Sequence, residues 1–152
     1  MLDPIAVPKV AALVGGGCRV YYTTSGGPTG IASASSADGL TFMADAGLRL
    51  APVPSAYAWG DPNVVVTGST YLMSSTQIPN DNSFSSIWLS SSADGLTWTT
   101  SAAPVITSTA GSPVDSSFVP LADGGLRVYY GLFVGTSAVP TGNVQSEISA
   151  AC

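Results

Sequence analysis

The stretch Ser35-Ser36-Ala37-Asp38-Gly39-Leu40-Thr41-Phe42 decides the fold, because it returns almost unchanged as Ser91-Ser92-Ala93-Asp94-Gly95-Leu96-Thr97-Trp98. An Asp-Gly pair between short runs of strand-forming residues is among the strongest local signals for a β-hairpin. Both aspartates are therefore predicted to be structural turn residues, whose carboxylates accept hydrogen bonds from nearby backbone, and both glycines are predicted to supply a positive φ angle. The recurrence of the whole turn predicts an internal structural repeat.

Two further signals support this repeat. Sliding the chain on itself without gaps places Val7, Asp61 and Asp115 at equal successive steps, each at the opening of an apolar run. Arg19-Val20-Tyr21-Tyr22 returns as Arg127-Val128-Tyr129-Tyr130 after two such steps. We therefore expect one domain over 1–152, with repeats at roughly 1–57, 58–111 and 112–152.

Each repeat is predicted to be a four-stranded antiparallel sheet, because strand-forming residues alternate with glycine-rich turns and no segment has helical periodicity. Ile5 to Val14 is predicted to be a buried strand. Sheets of this kind bury both faces by stacking radially, so the predicted fold class is all-β, a partial β-propeller of about three blades and about 11 strands. The third repeat ends after its expected third strand, Val144 to Ala151. Since propellers close with about 4–8 blades, we expect either missing C-terminal blades or closure by self-association as a homo-oligomer.

Composition excludes several classes of function. The chain has 152 residues, with four Lys and Arg against nine Asp and Glu, and no histidine. Scattered single cations do not make a phosphate-binding surface, so no nucleic-acid partner is expected. Without histidine, Ser-His-Asp and Cys-His systems and His-containing zinc sites are excluded, which leaves acid–base chemistry to carboxylates. No apolar run has the length of a membrane span, and Met1 to Pro4 lack the basic start of a signal peptide. The Ser/Thr-rich, Lys-poor composition favours an extracellular, secreted protein.

The repeated Ser-Xaa-Asp-Gly-Xaa-Thr-Trp/Phe turn, the Asp61-Pro62-Asn63-Val64-Val65-Val66 opening and the Arg-Val-Tyr-Tyr strands resemble a known family. They are similar to the five-bladed β-propeller proteins related to arabinanases, with kinship to sialidase-type Asp-box propellers. The resemblance covers essentially the whole chain. It implies a carbohydrate partner and glycoside hydrolysis by carboxylates on the innermost strands of an axial funnel.

Carried over residue by residue, this resemblance implies that Asp61 and Asp115 are catalytic carboxylates. In the first repeat Val7 occupies the equivalent position, and Asp3 could serve only if the first strand begins four residues sooner. Glu147, the only glutamate, falls on the expected third strand of the last repeat, away from the axis. The structural alternative is that Asp61 and Asp115 accept hydrogen bonds from turn backbone.

Two aromatic residues precede the Asp61 opening and are candidates for substrate binding. Trp59 and Tyr57 could form a wall of the funnel, and the alternative for Trp59 is a place in the core. Trp98 and Phe42 occupy matching repeat positions, which predicts packing between blades.

No cofactor is expected from the sequence. Asp81-Asn82 and carbonyl-rich loops offer oxygen ligands for a structural calcium ion, but no spacing specifies a metal site. Cys18 and Cys152 lie two repeats apart, and nothing in the sequence pairs them. Whether the chain is an enzyme stays open between a glycoside-hydrolase-like module and a non-catalytic glycan-binding or self-assembling propeller module.

Overall fold

A computed structural model describes residues 6–25 and 29–134. These ranges contain ten β-strands and no helix. The strands are β1 (Ala6–Ala12), β2 (Cys18–Thr23), β3 (Ile31–Ser36), β4 (Met43–Ala44), β5 (Tyr57–Thr67), β6 (Thr70–Pro79), β7 (Ser86–Ser92), β8 (Thr99–Thr100), β9 (Ser112–Pro120) and β10 (Leu126–Phe133).

The strands form three antiparallel sheets that follow chain order, and each corresponds to one sequence repeat. Blade 1 has the order β1-β2-β3-β4, blade 2 has the order β5-β6-β7-β8, and β9 and β10 form the described part of blade 3. This confirms the prediction of an all-β partial propeller built from four-stranded blades. The predicted third strand of blade 3, Val144 to Ala151, lies outside the described residues.

The two Asp-Gly loops have the predicted local structure. In the blade 1 loop (residues 36–41), Asp38 Oδ1 accepts hydrogen bonds from the backbone N–H groups of Leu40 and Thr41, at 2.9 and 2.8 Å. In the blade 2 loop (residues 92–97), Asp94 Oδ1 accepts the equivalent bonds at 2.7 Å each. Hydrogen bonds to the ionised form favour it, so the N–H groups of Thr41 and Leu40 lower the pKa of Asp38 to about 2.

Apolar side chains from facing blades form the core. One cluster, centred on Tyr21, Ile31 and Met73, fills the space between blades 1 and 2. The Trp98 ring of blade 2 contacts Tyr21 of blade 1 edge-to-face, with ring centroids 5.7 Å apart, which agrees with its predicted role between blades. Phe42 instead packs against a cluster within blade 1. Blades 2 and 3 share a further cluster that includes Ile87, Ile106, Phe118 and Val128.

The prediction of a buried first strand is wrong for most of β1. Val7 and Val10 are 37% and 61% exposed, and in β1 only Ala11 is buried among the side chains described. Apolar composition made the segment look like core. Within the described residues, β1 pairs with β2 along one edge and contacts β5 of blade 2, so much of the strand is not covered by a neighbouring sheet.

Candidate functional site

The innermost strands β1, β5 and β9 share one irregularity at the repeat-equivalent position. Strand pairing is shifted between Ala6 and Lys9 in β1 and between Gly60 and Asn63 in β5, and β9 has the same shift opposite Tyr129 to Gly131. Each shift is a β-bulge, a feature that bends a strand and redirects a side chain. The gapless repeat alignment therefore matches positions that are equivalent in three dimensions.

The residue at each bulge has a left-handed backbone. The φ angles are 49° at Val7, 50° at Asp61 and 51° at Asp115. A positive φ is uncommon outside glycine, and for a β-branched valine it is a genuine outlier. Strain of this kind costs about 1–3 kcal/mol per residue and clusters at functional sites. Three matched outliers on adjacent inner strands therefore mark the bulges as the first candidate site.

Hydrogen bonds between blades hold the bulges in place. The backbone N–H of Asp61 donates to Thr23 Oγ1 of blade 1 at 3.1 Å. Asn63 Oδ1, just after the bulge, accepts from the backbone N–H of Phe118 in blade 3 at 3.0 Å. Hydrogen bonds to both neighbouring blades therefore hold the Asp61 bulge in position.

Asp61 and Asp115 lie close enough for their charges to interact. The pKa of Asp115 is raised, first by burial of its carboxyl group and second by the negative charge of Asp61, while Lys9 on β1 acts in the opposite direction. A raised pKa means that Asp115 holds its proton to a higher pH than an ordinary aspartate does. Asp3 and Glu147, the other carboxyl groups considered for the site, lie outside the described residues.

The two aromatic residues before Asp61 line a different space. Tyr57 and Trp59 form part of a cavity of about 590 Å³ between blades 1 and 2, which we call the interblade cavity. Neither Asp61 nor Asp115 lines it. Residues 57 and 59 share one face of β5 by strand alternation, and the bulge turns the next side chain of that series away from them. Trp59 is 5% exposed and belongs to the core cluster between the blades, as its structural alternative predicted.

Sequence reasoning missed the other principal residues of the interblade cavity. Gln77, Trp88 and Trp98 belong to blade 2, and Arg49, from the first repeat, joins them when blades 1 and 2 stack. Trp88 contacts Trp59 edge-to-face, with ring centroids 6.1 Å apart. One usable signal was present, since all three tryptophans of the chain fall within the second repeat.

The calcium candidate forms a local turn. Asp81 Oδ1 accepts a hydrogen bond from the backbone N–H of Ser83 at 3.0 Å, and the Ser83 hydroxyl and N–H together lower the pKa of Asp81. Across residues 6–25 and 29–134, no three His, Cys, Asp or Glu side chains converge on a common point that could hold a metal ion. Cys18 carries a free thiol, and Cys152 lies outside the described residues. Within the same ranges, no helix is long and apolar enough to cross a bilayer.

Comparison with known proteins places the fold. No family model and no curated protein matches the chain. Among solved structures, it is similar to a thermostable family-43 glycoside hydrolase, with 22% identity and a TM-score of 0.69 over 84% of this chain and 41% of that one. A family 117 glycoside hydrolase from Zobellia galactanivorans matches with 18% identity and a TM-score of 0.67, over 84% of this chain and 48% of that one.

A mannoside phosphorylase family protein described as a glycoside hydrolase acting on β-1,2 mannosidic linkages matches over 85% of this chain and 44% of its own, with 20% identity and a TM-score of 0.63. The chain thus spans less than half the length of these three structures. The resemblance to five-bladed β-propeller glycoside hydrolases is confirmed at the level of the fold.

Proposed function

We propose that this chain is part of a carbohydrate-active β-propeller that hydrolyses glycosidic bonds with Asp61 and Asp115 as its carboxylate pair. One observation carries the proposal. The two aspartates occupy equivalent strained bulges on the neighbouring innermost strands β5 and β9. The negative charge of Asp61 also raises the pKa of Asp115. Two nearby carboxyl groups whose pKa values are pushed apart by their surroundings are typical of acid–base pairs in glycosidases.

The raised pKa assigns the roles. We assign Asp115 as the general acid, because a raised pKa favours its protonated form; it donates that proton to the glycosidic oxygen as the bond from that oxygen to the anomeric carbon breaks. Asp61 supplies the negative charge that raises the pKa of Asp115, and in the role of general base it accepts the proton of the attacking water. The secretion expected from composition fits a substrate found outside the cell.

Activity of the full chain on chromogenic arabinosides, xylosides and sialosides tests the proposal. Asp61→Asn and Asp115→Asn are each expected to lower kcat by about 10²–10⁴-fold, the usual contribution of a positioned acid or base. If Asp61 acts only on the pKa of Asp115, Asp61→Asn instead moves the alkaline limb of the pH–rate profile to lower pH, because Asp115 then loses its proton sooner.

Asp123→Asn is the matched control. Asp123 lies in the exposed turn between β9 and β10, where its Oδ1 accepts a hydrogen bond from the backbone N–H of Gly125 at 3.0 Å. The variant makes the same chemical change in the same blade, away from the bulges, and should keep full activity. Turnover that falls equally in Asp123→Asn and Asp115→Asn would contradict a catalytic role for the pair.

A second candidate is a non-catalytic propeller module that binds glycans or assembles with its own copies. Val7 favours this candidate, because the strained bulge of β1 carries no carboxyl group. Glycan binding measured by calorimetry without turnover of any substrate would support it. Light scattering of the purified chain tests assembly, since a folded monomer at high concentration counts against closure between copies.

A further inference from the structure

We propose that the interblade cavity is a second ligand site, separate from the carboxylate pair, and that it binds a sugar ring carrying a carboxylate. Its volume of about 590 Å³ lies within the range of about 300–1,000 Å³ for small-molecule sites. Such sites combine hydrophobic and aromatic side chains with a few placed polar groups. The interblade cavity is lined by four aromatic side chains, with Arg49 and Gln77 among its polar residues.

The aromatic lining suits a sugar ring. Trp59 is fixed at the back of the group by edge-to-face contacts with Tyr57 at 5.4 Å and Trp88 at 6.1 Å between ring centroids. Tyr57, Trp88 and Trp98 are only half-buried, so part of each ring remains accessible. The electron-rich face of an aromatic ring attracts the C–H groups on one face of a pyranose, and the amide of Gln77, which also lines the cavity, can bond sugar hydroxyl groups.

Arg49 gives the cavity its preference for a negative charge. Its side chain is 8% exposed, and its Nη1 and Nη2 groups donate to the backbone carbonyls of Leu96 and Gly47 at 3.2 and 2.9 Å. Its Nε is buried and has no hydrogen-bond partner in the structure. Arg19, which is equally buried, is paired with the carboxylate of Asp45 at 2.9 Å, whereas Arg49 has no ion pair among the described residues. A buried guanidinium compensated only by carbonyl dipoles favours a bound anion.

The site does not depend on the proposed function. Asp61 and Asp115 do not line the interblade cavity. Occupancy of the cavity can therefore be measured whether or not the chain hydrolyses any substrate.

Tryptophan fluorescence reports the cavity directly, because all three tryptophans of the chain line it. The probes are sodium galacturonate, sodium glucuronate and N-acetylneuraminate, each compared with its own uncharged methyl ester as the neutral counterpart. We expect a saturable change in emission with at least one of the acidic sugars, and an affinity about tenfold or more above that of its neutral counterpart, as for loss of one charge-assisted hydrogen bond. The three acids distinguish a uronate from a sialic acid as the source of the carboxylate.

Two variants assign this preference to Arg49. Arg49→Gln is expected to reduce the affinity for the acidic sugar to that of the neutral one, with circular dichroism checking the fold. Lys9→Gln also removes one positive charge, from the exposed strand β1, and should leave the affinity for the acidic sugar unchanged. Asp61→Asn should also leave it unchanged, which separates this site from the carboxylate pair.

If none of the three acidic sugars binds the unaltered chain more tightly than its neutral counterpart, the proposal is overturned, even if Arg49→Gln does not fold. The absence of any fluorescence response to all three acids would overturn it as well. So would an unchanged acid preference in folded Arg49→Gln.

Discussion

The blade 1 loop and the blade 2 loop have nearly the same sequence and the same internal hydrogen bonds, yet within residues 6–25 and 29–134 only the blade 2 loop is docked on a neighbouring blade. In each loop the serine hydroxyl donates to the aspartate Oδ1 at 2.9 Å. The glycine φ angles are also alike, at 74° for Gly39 and 70° for Gly95. Gly39 faces open space, whereas Gly95 lies against blade 1.

Two side chains of β2 dock the blade 2 loop. The Tyr21 hydroxyl donates to the Gly95 carbonyl at 2.9 Å, and Arg19 Nη1 donates to the Asp94 carbonyl at 3.1 Å. Arg19 is itself held by Asp45 of its own blade. The local sequence is therefore sufficient for the shape of the loop. Whether the loop connects two sheets depends on the neighbouring blade.

Among the variants that distinguish the two loops, Gly95→Ala should lower the free energy of unfolding the most. A Cβ at this position would stand 2.7 Å from Tyr21 Oη and 2.8 Å from Arg19 Nη1, both of them in buried residues, in addition to the left-handed backbone. We expect a loss of about 3 kcal/mol in the free energy of unfolding from strain and overpacking together. Gly39→Ala, where no atom lies within 4 Å of the new Cβ, should cost about 1 kcal/mol. Urea denaturation measures both, and equal losses would show that docking adds nothing.

Tyr21→Phe removes one docking hydrogen bond and should cost about 1 kcal/mol, because the Gly95 carbonyl loses the Tyr21 donor but keeps that of Trp98 Nε1 at 3.2 Å. Tyr129→Phe, at the equivalent position of blade 3, is the control and should change stability by less than about 0.5 kcal/mol. Thermal unfolding at neutral pH compares them, and a larger loss in Tyr129→Phe would contradict the docking role.

The same variant has a pH signature. Burial raises the pKa of Tyr21 from 10.0 to about 12. Its contribution is therefore fully present below pH 10 and is lost as pH rises towards 12, since the unfolded chain ionises first. Tyr21→Phe should remove that part of the alkaline destabilisation.

Asp38→Asn and Asp94→Asn should differ least in their effect on stability. The pKa of each aspartate is lowered chiefly by the backbone N–H groups two and three residues later. The stability that each adds is present above the ordinary pKa of 3.8 and declines as pH falls towards 2. In the unaltered chain the melting temperature should fall between pH 6 and pH 2.5. Both variants should reduce that fall by a similar amount, because each removes one carboxylate that is stabilised in the folded state. A much greater loss in Asp94→Asn would mean that the docked loop acts through its carboxylate as well as its carbonyls.

Several features of the fold were accessible from local sequence. The Asp-Gly turns follow from backbone preferences, and the period of the repeat correctly aligned Val7, Asp61 and Asp115, whose backbones prove to be alike. These features depend on contacts within one blade or on strict periodicity.

The interblade cavity could not be predicted, because its residues are distant in the chain. Tyr57 and Trp59 stood beside Asp61 in sequence and suggested one common site. The bulge at Asp61 separates them, since an extra residue in the strand reverses the side to which the following side chains point.

The sequence alone determined the class of fold, the repeat and the loop geometry, because strand periodicity and turn preferences act over a few residues. Only the tertiary structure decided that the blade 2 loop is docked on blade 1 and that Arg49 from the first repeat shares a cavity with the aromatic residues of blade 2. Those properties arise from the faces that two blades bring together, and no single repeat contains both faces.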